Sequence, residues 1–357
     1  MHDGIAGAPT FRPDLEREID LIEEVARRIG LDRIARTVPS SPETVGGLTA
    51  DQRARRAIAD VLVGAGYDEI YTLPLLAPAD LSAAGYPDVS SLIEVENPLR
   101  AEESILRPAL LPGVLRSVAF NAAHGEPDVA LFETGTVFAP PPAGERLPEE
   151  RVHLAFARSH AVRRVPHEPD RPVDVFDITA VLGALATELR LGALTTETAT
   201  IEGLHPGRAA HVLVDGQPAG RIGEVASGVV DALDLATPVV VCELDIDAVL
   251  AGTRLERRAR PVSRFPASTI DLAFVVDDTV PAAHVQATLA QAAGELLEHI
   301  ALFDVFRSDA LGPAKVSLAF SLRFRAPDRT LTDEEVGALR QACIDAVVAE
   351  CGARLRA

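Results

Sequence analysis

Residues Lys315 to Arg325 alternate without a break: Val316, Leu318, Phe320, Leu322 and Phe324 share one face, and Ser317, Ala319, Ser321, Arg323 and Arg325 share the other. A strand repeats every two residues, so this pattern requires a β-strand with one packed face and one face left open for solvent or a ligand. Such a strand needs neighbours and a covering layer, and the flanking sequence supplies both. Asp271 to Asp277 is a bulky apolar run, Pro281 opens a helix expected to reach about His299, and Ile300 to Arg307 alternates as a further strand. Thr332 with Glu335 forms a capping box that starts a helix running to Gly352, and Arg354 to Arg356 can add a short final strand. The expected order is strand, helix, strand, strand, helix, strand, a ferredoxin-like split unit that RNA-recognition modules also use.

At the other end of the chain, Leu15 to Ile29 reads as a helix closed by Gly30, followed by a Pro39-Ser40-Ser41-Pro42 linker. Ile19, Ile22, Val25, Ala26 and Ile29 fall at helical spacing. Asp20, Glu23 and Glu24 are spaced i, i+3 and i+4 on adjoining parts of one helix surface, with Asp14 about one and a half turns earlier. Oxygen ligands in this number suit magnesium, but spacing alone favours a solvated acidic face aided by the dipole at the helix N-terminus.

The middle of the chain, about Leu48 to Leu255, opens with an amphipathic helix over Ala50 to Gly64, a Gly64-Ala65-Gly66-Tyr67 turn and a strand over Glu69 to Leu73. Asp128 to Phe138 reads as another strand. Pro140-Pro141-Pro142 and the stretch from Arg163 to Asp174 read as surface insertions. Val239 to Leu250 carries Glu243, Asp245 and Asp247 and no arginine.

Three C-terminal blocks, Arg264-Phe265-Pro266 to Asp271, Leu302-Phe303-Asp304-Val305-Phe306-Arg307 and Arg323 to Glu335, resemble in order and spacing the anticodon-binding (FDX-ACB) domain of bacterial phenylalanyl-tRNA synthetase beta subunits. The blocks Glu94 to Arg116 and Asp128 to Phe138 resemble the catalytic-like core of the same family. The resemblance implies an α+β chain: the end of a small helix-turn-helix-like domain over residues 1–40, a class II synthetase-like antiparallel-sheet core over 45–256, and a ferredoxin-like βαββαβ domain over 262–357. It implies that Asp14, Asp20, Glu23 and Glu24 bind a Mg2+ ion shared with a catalytic alpha subunit, in an alpha-two beta-two tetramer. It also implies that tRNA(Phe) is contacted through Arg264, Arg307, Lys315, Arg323, Arg325 and Arg329. The core is expected to be catalytically empty and to contain no catalytic residue. Class II adenylate formation clamps ATP phosphates with arginine, and the segment corresponding to that motif, Val239 to Leu250, presents three acids instead. ATP is then used by the complex and not bound by this chain alone. Arg107 is expected in a structural or interface role. Many relatives have an arginine where this chain has Ile270. In the family an oligonucleotide-binding fold and an editing domain precede the first helix, so the chain is expected to cover the C-terminal half of a beta subunit. The other reading is a truncated or stand-alone paralogue acting as an RNA- or protein-binding module.

Charge and cysteine content bound these readings. A net charge of -19 argues against strong non-specific RNA binding and confines any contact to a local basic patch. Lys315 is the only lysine. Cys242, Cys343 and Cys351 have neither zinc spacing nor an even count, which points to a reducing compartment, and no apolar run approaches a membrane span. A cytoplasmic protein is expected. The nine histidines show no His-Glu-x-x-His pairing, and His205, Ser227 and Asp231 lack a Gly-x-Ser-x-Gly elbow.

Overall fold

Apolar strands such as Val239-Val240-Val241-Cys242 in the first two-thirds of the chain build one large sheet, and the alternating strand near the C-terminus belongs to another. The computed structural model describes residues 7–33, 35, 37, 46–86, 92–162, 167, 169–253 and 263–356. The chain divides into two compact units, Met1–Glu256 and Arg257–Ala357. The linker at Pro39 to Pro42, part of the insertion at 163–174 and the junction at 254–262 lie outside the described residues.

In the first unit, helix α1 spans Glu18–Ile29 and ends at Gly30, whose φ of 96° belongs to glycine. It starts three residues later than expected. The Asp20 carboxylate accepts hydrogen bonds from the backbone N–H groups of Glu16 and Arg17 at 3.1 and 2.8 Å, which fixes the first turn there. No α1 residue is buried. Helix α2 (Ala50–Gly64) starts from a capping box between Thr49 and Gln52 and buries Ile58 and Leu62. A short strand β1 (Asp68–Glu69) then pairs in parallel with β2 (Ala130–Ala139). Helices α3 (Pro78–Ala83) and α4 (Leu111–Ala123) fall between them.

After β2 come β3 (Glu149–Ser159), α5 (Val175–Glu188), β4 (Leu194–Thr198), β5 (Leu204–Val214), β6 (Gln217–Val225), α6 (Ser227–Leu233), β7 (Val239–Asp245) and α7 (Ile246–Ala251). The sheet order is β1-β2-β3-β7-β6-β5-β4, antiparallel except for the first pair. Phe132, Phe156, Val240 and Cys242 pack on one face with Ile58 and Leu62 of α2 and Ile178, Leu182 and Leu185 of α5. Leu131, Ala155, Ala157, Val239 and Val241 pack on the other face with Leu111, Val114 and Val118 of α4 and Val229 of α6. Both faces are covered, so β7 reads as continuous Val-Val-Val-Cys and not as an alternation.

Two buried carboxylates interrupt the second face. Glu133 is fully buried and bonds Arg107, itself 4 % exposed, at 2.6 Å. Arg107 also donates to the Thr136 carbonyl at 2.8 Å and the Thr72 hydroxyl at 3.1 Å, and that hydroxyl donates to Glu133 at 2.7 Å. A Cβ at Gly135 would collide with the Arg107 guanidinium, so glycine there makes room for the pair. Glu243 on β7 is 4 % exposed and accepts from the Leu110 N–H at 2.8 Å and from Arg221 at 2.7 Å, with the His153 ring at 3.1 Å. Arg107 is thus a structural residue, as expected. The strand expected over Glu69 to Leu73 is shorter: β1 stops at Glu69, and Thr72 leaves the ladder to serve the Arg107–Glu133 pair.

The second unit contains β8 (Ser268–Asp277), α8 (Ala282–Ala293), β9 (Leu297–Phe306), β10 (Lys315–Phe324), α9 (Asp333–Cys351) and β11 (Arg354–Leu355). The order β9-β10-β8-β11 is antiparallel throughout, with an unbroken ten-residue register from Ser268 opposite Phe324 to Asp277 opposite Lys315. Val316, Leu318, Phe320, Leu322 and Phe324 enter one core with Val285 and Leu289 of α8 and Val347 of α9. Thr332 and Glu335 form the expected capping box. Two expectations change. Helix α8 ends at Ala293 and not near His299, because Gly294 turns the chain with φ 64° and β9 begins at Leu297. The second face of β10 is open only in part: Ser317 and Ala319 are 2 % and 8 % exposed. Arg356 crosses that region, bonding the Ser317 hydroxyl at 3.3 Å with its guanidinium 4.9 Å from the centre of the Phe306 ring.

Removing one partner of a buried pair strands the other charge. Arg107→Ala is therefore expected to lower stability by about 3–5 kcal/mol in urea unfolding, and Arg107→Met with Glu133→Leu by less than the single change. Equal midpoints for wild type and Arg107→Ala contradict this. Burial pushes the Glu243 carboxyl up, but His153, Arg221 and the Leu110 N–H together hold it below its ordinary value. A depressed folded value means that its contribution is complete above the ordinary carboxylate range and is lost as pH falls through the folded value. Glu243→Gln should flatten that acid limb of the stability curve.

Candidate functional site

The four carboxylates expected to bind Mg2+ sit on or just before α1. Arg12 stands between two of them, with one guanidinium nitrogen 2.6 Å from Asp14 and 2.7 Å from Glu24. Arg27 takes the second Glu24 oxygen at 2.6 Å. Asp20 is engaged by the backbone at the helix start, and Glu23 is exposed. Among the described residues no group of three or more His, Cys, Asp or Glu is placed to hold a metal ion. The donor chemistry suits a hard cation, but in this chain by itself the positive charge between Asp14 and Glu24 is supplied by Arg12. Hydrogen bonds from Arg12, then Arg27, hold the Glu24 carboxyl at about 2, and the Arg12 bond lowers Asp14 as well.

The expected RNA-contact residues lie on or beside the second sheet, and most of them are already paired. Glu298 sits at a register irregularity of β9 and turns both oxygens to β10 and the residue after it: Arg323 at 2.7 Å and Arg325 at 2.8 Å. Arg325 also donates to the Phe265 carbonyl at 2.9 Å. Lys315 lies 3.4 Å from Asp277, Arg307 3.9 Å from Asp278, and Arg329 2.8 Å from Glu335 and 3.1 Å from Asp328. Arg264 is exposed, with no ion pair among the described residues. Arg323 and Arg325 share a side, as the alternation requires. Arg307 does not come alongside them, because the register places His299 opposite Arg323 and Phe306 opposite Ser317 at the far end of the sheet. Glu298 leaves no signal in the sequence pattern: a bulge frees it to reach across the ladder, and no period reveals a bulge.

In the first unit, the acids of the Val239 to Leu250 segment separate into three roles. Glu243 is the buried hub of Arg221, His153 and the Leu110 N–H, Asp245 caps α7 by accepting from the Ala248 N–H at 3.1 Å, and Asp247 is exposed. His205 accepts from the Gly207 N–H at 3.1 Å in a local turn. An open cleft of about 740 Å³ runs past α4, lined among others by Tyr71, Leu73, Arg100, Arg116 and Phe120. Tyr71, Leu73 and Phe120 are 83 %, 61 % and 63 % exposed, an apolar content unusual for a surface facing only water.

Arg12→Ala should return Glu24 toward the ordinary carboxylate range, read from side-chain carboxyl NMR shifts across a pH titration. A Glu24 that still titrates near 2 in the variant would show that Arg12 is not the cause.

Comparison with known proteins follows the same division. Residues 34–246 match the family described as phenylalanyl tRNA synthetase beta chain CLM domain, and residues 263–356 match the ferredoxin-fold anticodon binding domain. The phenylalanine–tRNA ligase beta subunit of Corynebacterium glutamicum is 37 % identical over an alignment covering 93 % of this chain and 42 % of that protein. The Moorella thermoacetica protein of the same name is 37 % identical, with 98 % of this chain and 44 % of that protein covered. The chain therefore spans less than half the length of the curated relatives it matches. A pyrrolysyl tRNA synthetase structure from Desulfitobacterium hafniense aligns at 15 % identity and a TM-score of 0.46, covering 64 % of this chain and 73 % of that one, too distant to inform the site.

Proposed function

This chain belongs to the phenylalanyl-tRNA synthetase beta-chain family, and from that membership we propose that it serves phenylalanyl-tRNA synthesis in the cytoplasm as a non-catalytic portion of a beta subunit. It pairs with a catalytic alpha subunit in an alpha-two beta-two assembly and offers its C-terminal domain to tRNA(Phe). The observation that carries the non-catalytic reading is Glu243. Adenylate chemistry needs a free cation facing the phosphates, whereas here the buried position is an anion that already holds Arg221 and the Leu110 N–H. A triphosphate would meet like charge. ATP is then bound by the alpha subunit.

Docking to the alpha subunit is assigned to the cleft beside α4, where Tyr71, Leu73 and Phe120 present exposed apolar and aromatic surface of the kind that anchors interfaces. Asp14, Asp20, Glu23 and Glu24 are the carboxylates proposed to be offered to a shared Mg2+ ion, a hard dication suited to oxygen donors. Arg12 holds two of them in the free chain, so ion and guanidinium compete for the same oxygens. A stand-alone binding paralogue is less favoured, because both regions that define the beta chain are retained in order.

Co-expression with an alpha subunit followed by size-exclusion chromatography tests this. The two chains should elute together, and Tyr71→Asp with Phe120→Asp should separate them while leaving the chain folded. Glu23→Gln with Glu24→Gln should weaken only the Mg2+-dependent part of the association. Independent elution of the wild-type chains across a magnesium titration sinks the partner reading.

A further inference from the structure

The basic residues of the C-terminal unit are not equivalent as ligands for a phosphate. Glu298 holds Arg323 and Arg325, Asp277 lies beside Lys315, and Glu335 and Asp328 hold Arg329. An arginine already held by a carboxylate must surrender that partner to take a phosphate, and the freed carboxylate then repels the same phosphate. Its net gain is small. Arg264 is also unpaired among the described residues, but it stands alone, whereas the terminal strand puts two such arginines side by side. Arg354 and Arg356 are both exposed, and among the described residues neither has a carboxylate partner. Arg354 stands opposite Val275 in the register, and the backbone N–H of Arg356 bonds the Ala273 carbonyl at 2.8 Å. By the two-residue repeat both side chains therefore leave the sheet on the side of Ser317, away from the helices. Arg356 is held over that side by the Ser317 hydroxyl and the Phe306 ring, neutral partners that fix its position without cancelling its charge.

From this we propose that Arg354 and Arg356, and not the Arg323–Arg325 pair, are the principal phosphate contacts of this domain, and that Glu298 keeps the latter pair out of RNA binding. The inference rests on the RNA-binding reading given above and assigns it to different residues. Its ligand is the backbone phosphate of RNA. Two adjacent cations with no carboxylate partner among the described residues, on a chain of net charge -19, also explain how a strongly acidic protein can present a local binding site.

The test uses the full chain and a transcript of tRNA(Phe), with fluorescence anisotropy at several salt concentrations. Arg354→Ala and Arg356→Ala should each lower affinity several-fold and reduce the slope of log affinity against log salt by about 0.7, the value for one single-strand phosphate contact. Arg323→Ala and Arg325→Ala should change both little. Arg356→Lys keeps the charge and should retain most of the slope, which separates a phosphate contact from the packing role of Arg356 on Phe306. Glu298→Gln releases Arg323 and Arg325 and should strengthen binding and steepen the slope. Loss of binding in Arg323→Ala and Arg325→Ala with the terminal-strand variants unchanged overturns the assignment while leaving the RNA reading intact. A wild-type chain with no salt-dependent binding overturns the RNA reading, and the assignment falls with it.

Discussion

A carboxylate buried in a sheet must find a cation and hydrogen-bond donors, and in the first unit that requirement organises everything on one face. Glu133 lies on the second strand from the sheet edge with no exposure, and Arg107, 26 residues earlier in the chain, answers it. The contact draws in Thr72, ends β1 early and ties the segment before α4 to the sheet. Glu243 does the same from the centre of the sheet, reaching the Leu110 N–H at the start of α4 across 133 residues of sequence. The two anions hold the chain leading into α4 against the sheet, and each also holds an arginine, Arg107 for Glu133 and Arg221 for Glu243.

The same device recurs in the second unit at the surface. Glu298 to Arg323 and Arg325, Asp277 to Lys315 and Glu335 to Arg329 are all cations answered from within the chain. Being at or near the surface, these pairs contribute little stability, and their consequence is electrostatic: they cancel positive potential that the sequence offers. In this unit any anion contact then falls to arginines with no carboxylate partner among the described residues, Arg354 and Arg356 among them.

How much of this could be read from the sequence depends on the range of the interaction. The alternation of β10, the Thr332–Glu335 capping box and the Gly30 helix stop are local, governed by periods of two or 3.6 residues and by single-residue backbone preference, and they appear in the structure as the pattern demands. The end of α8 is also local, but the apolar periodicity continues past Gly294, whose positive φ is what stops the helix. The long-range pairs were not legible. Nothing in Glu133 or Glu298 alone says that it turns toward Arg107 or toward Arg323 and Arg325, and a bulge that swings Glu298 across the ladder leaves no periodic trace. The acidic helix is legible from residue type and spacing; the role of Arg12 is not, because Arg12 lies outside the helix and comes back onto it through Asp14 and Glu24.

In the proposed reading the first unit does not hold a triphosphate, because buried carboxylates already hold Arg107 and Arg221. Titration calorimetry of MgATP into the full chain, without any partner, tests it most directly. The account predicts no saturable heat at concentrations that fill an ordinary nucleotide site, because Glu243 and Glu133 already hold Arg221 and Arg107. A saturable one-to-one isotherm that disappears in Arg221→Ala would contradict it.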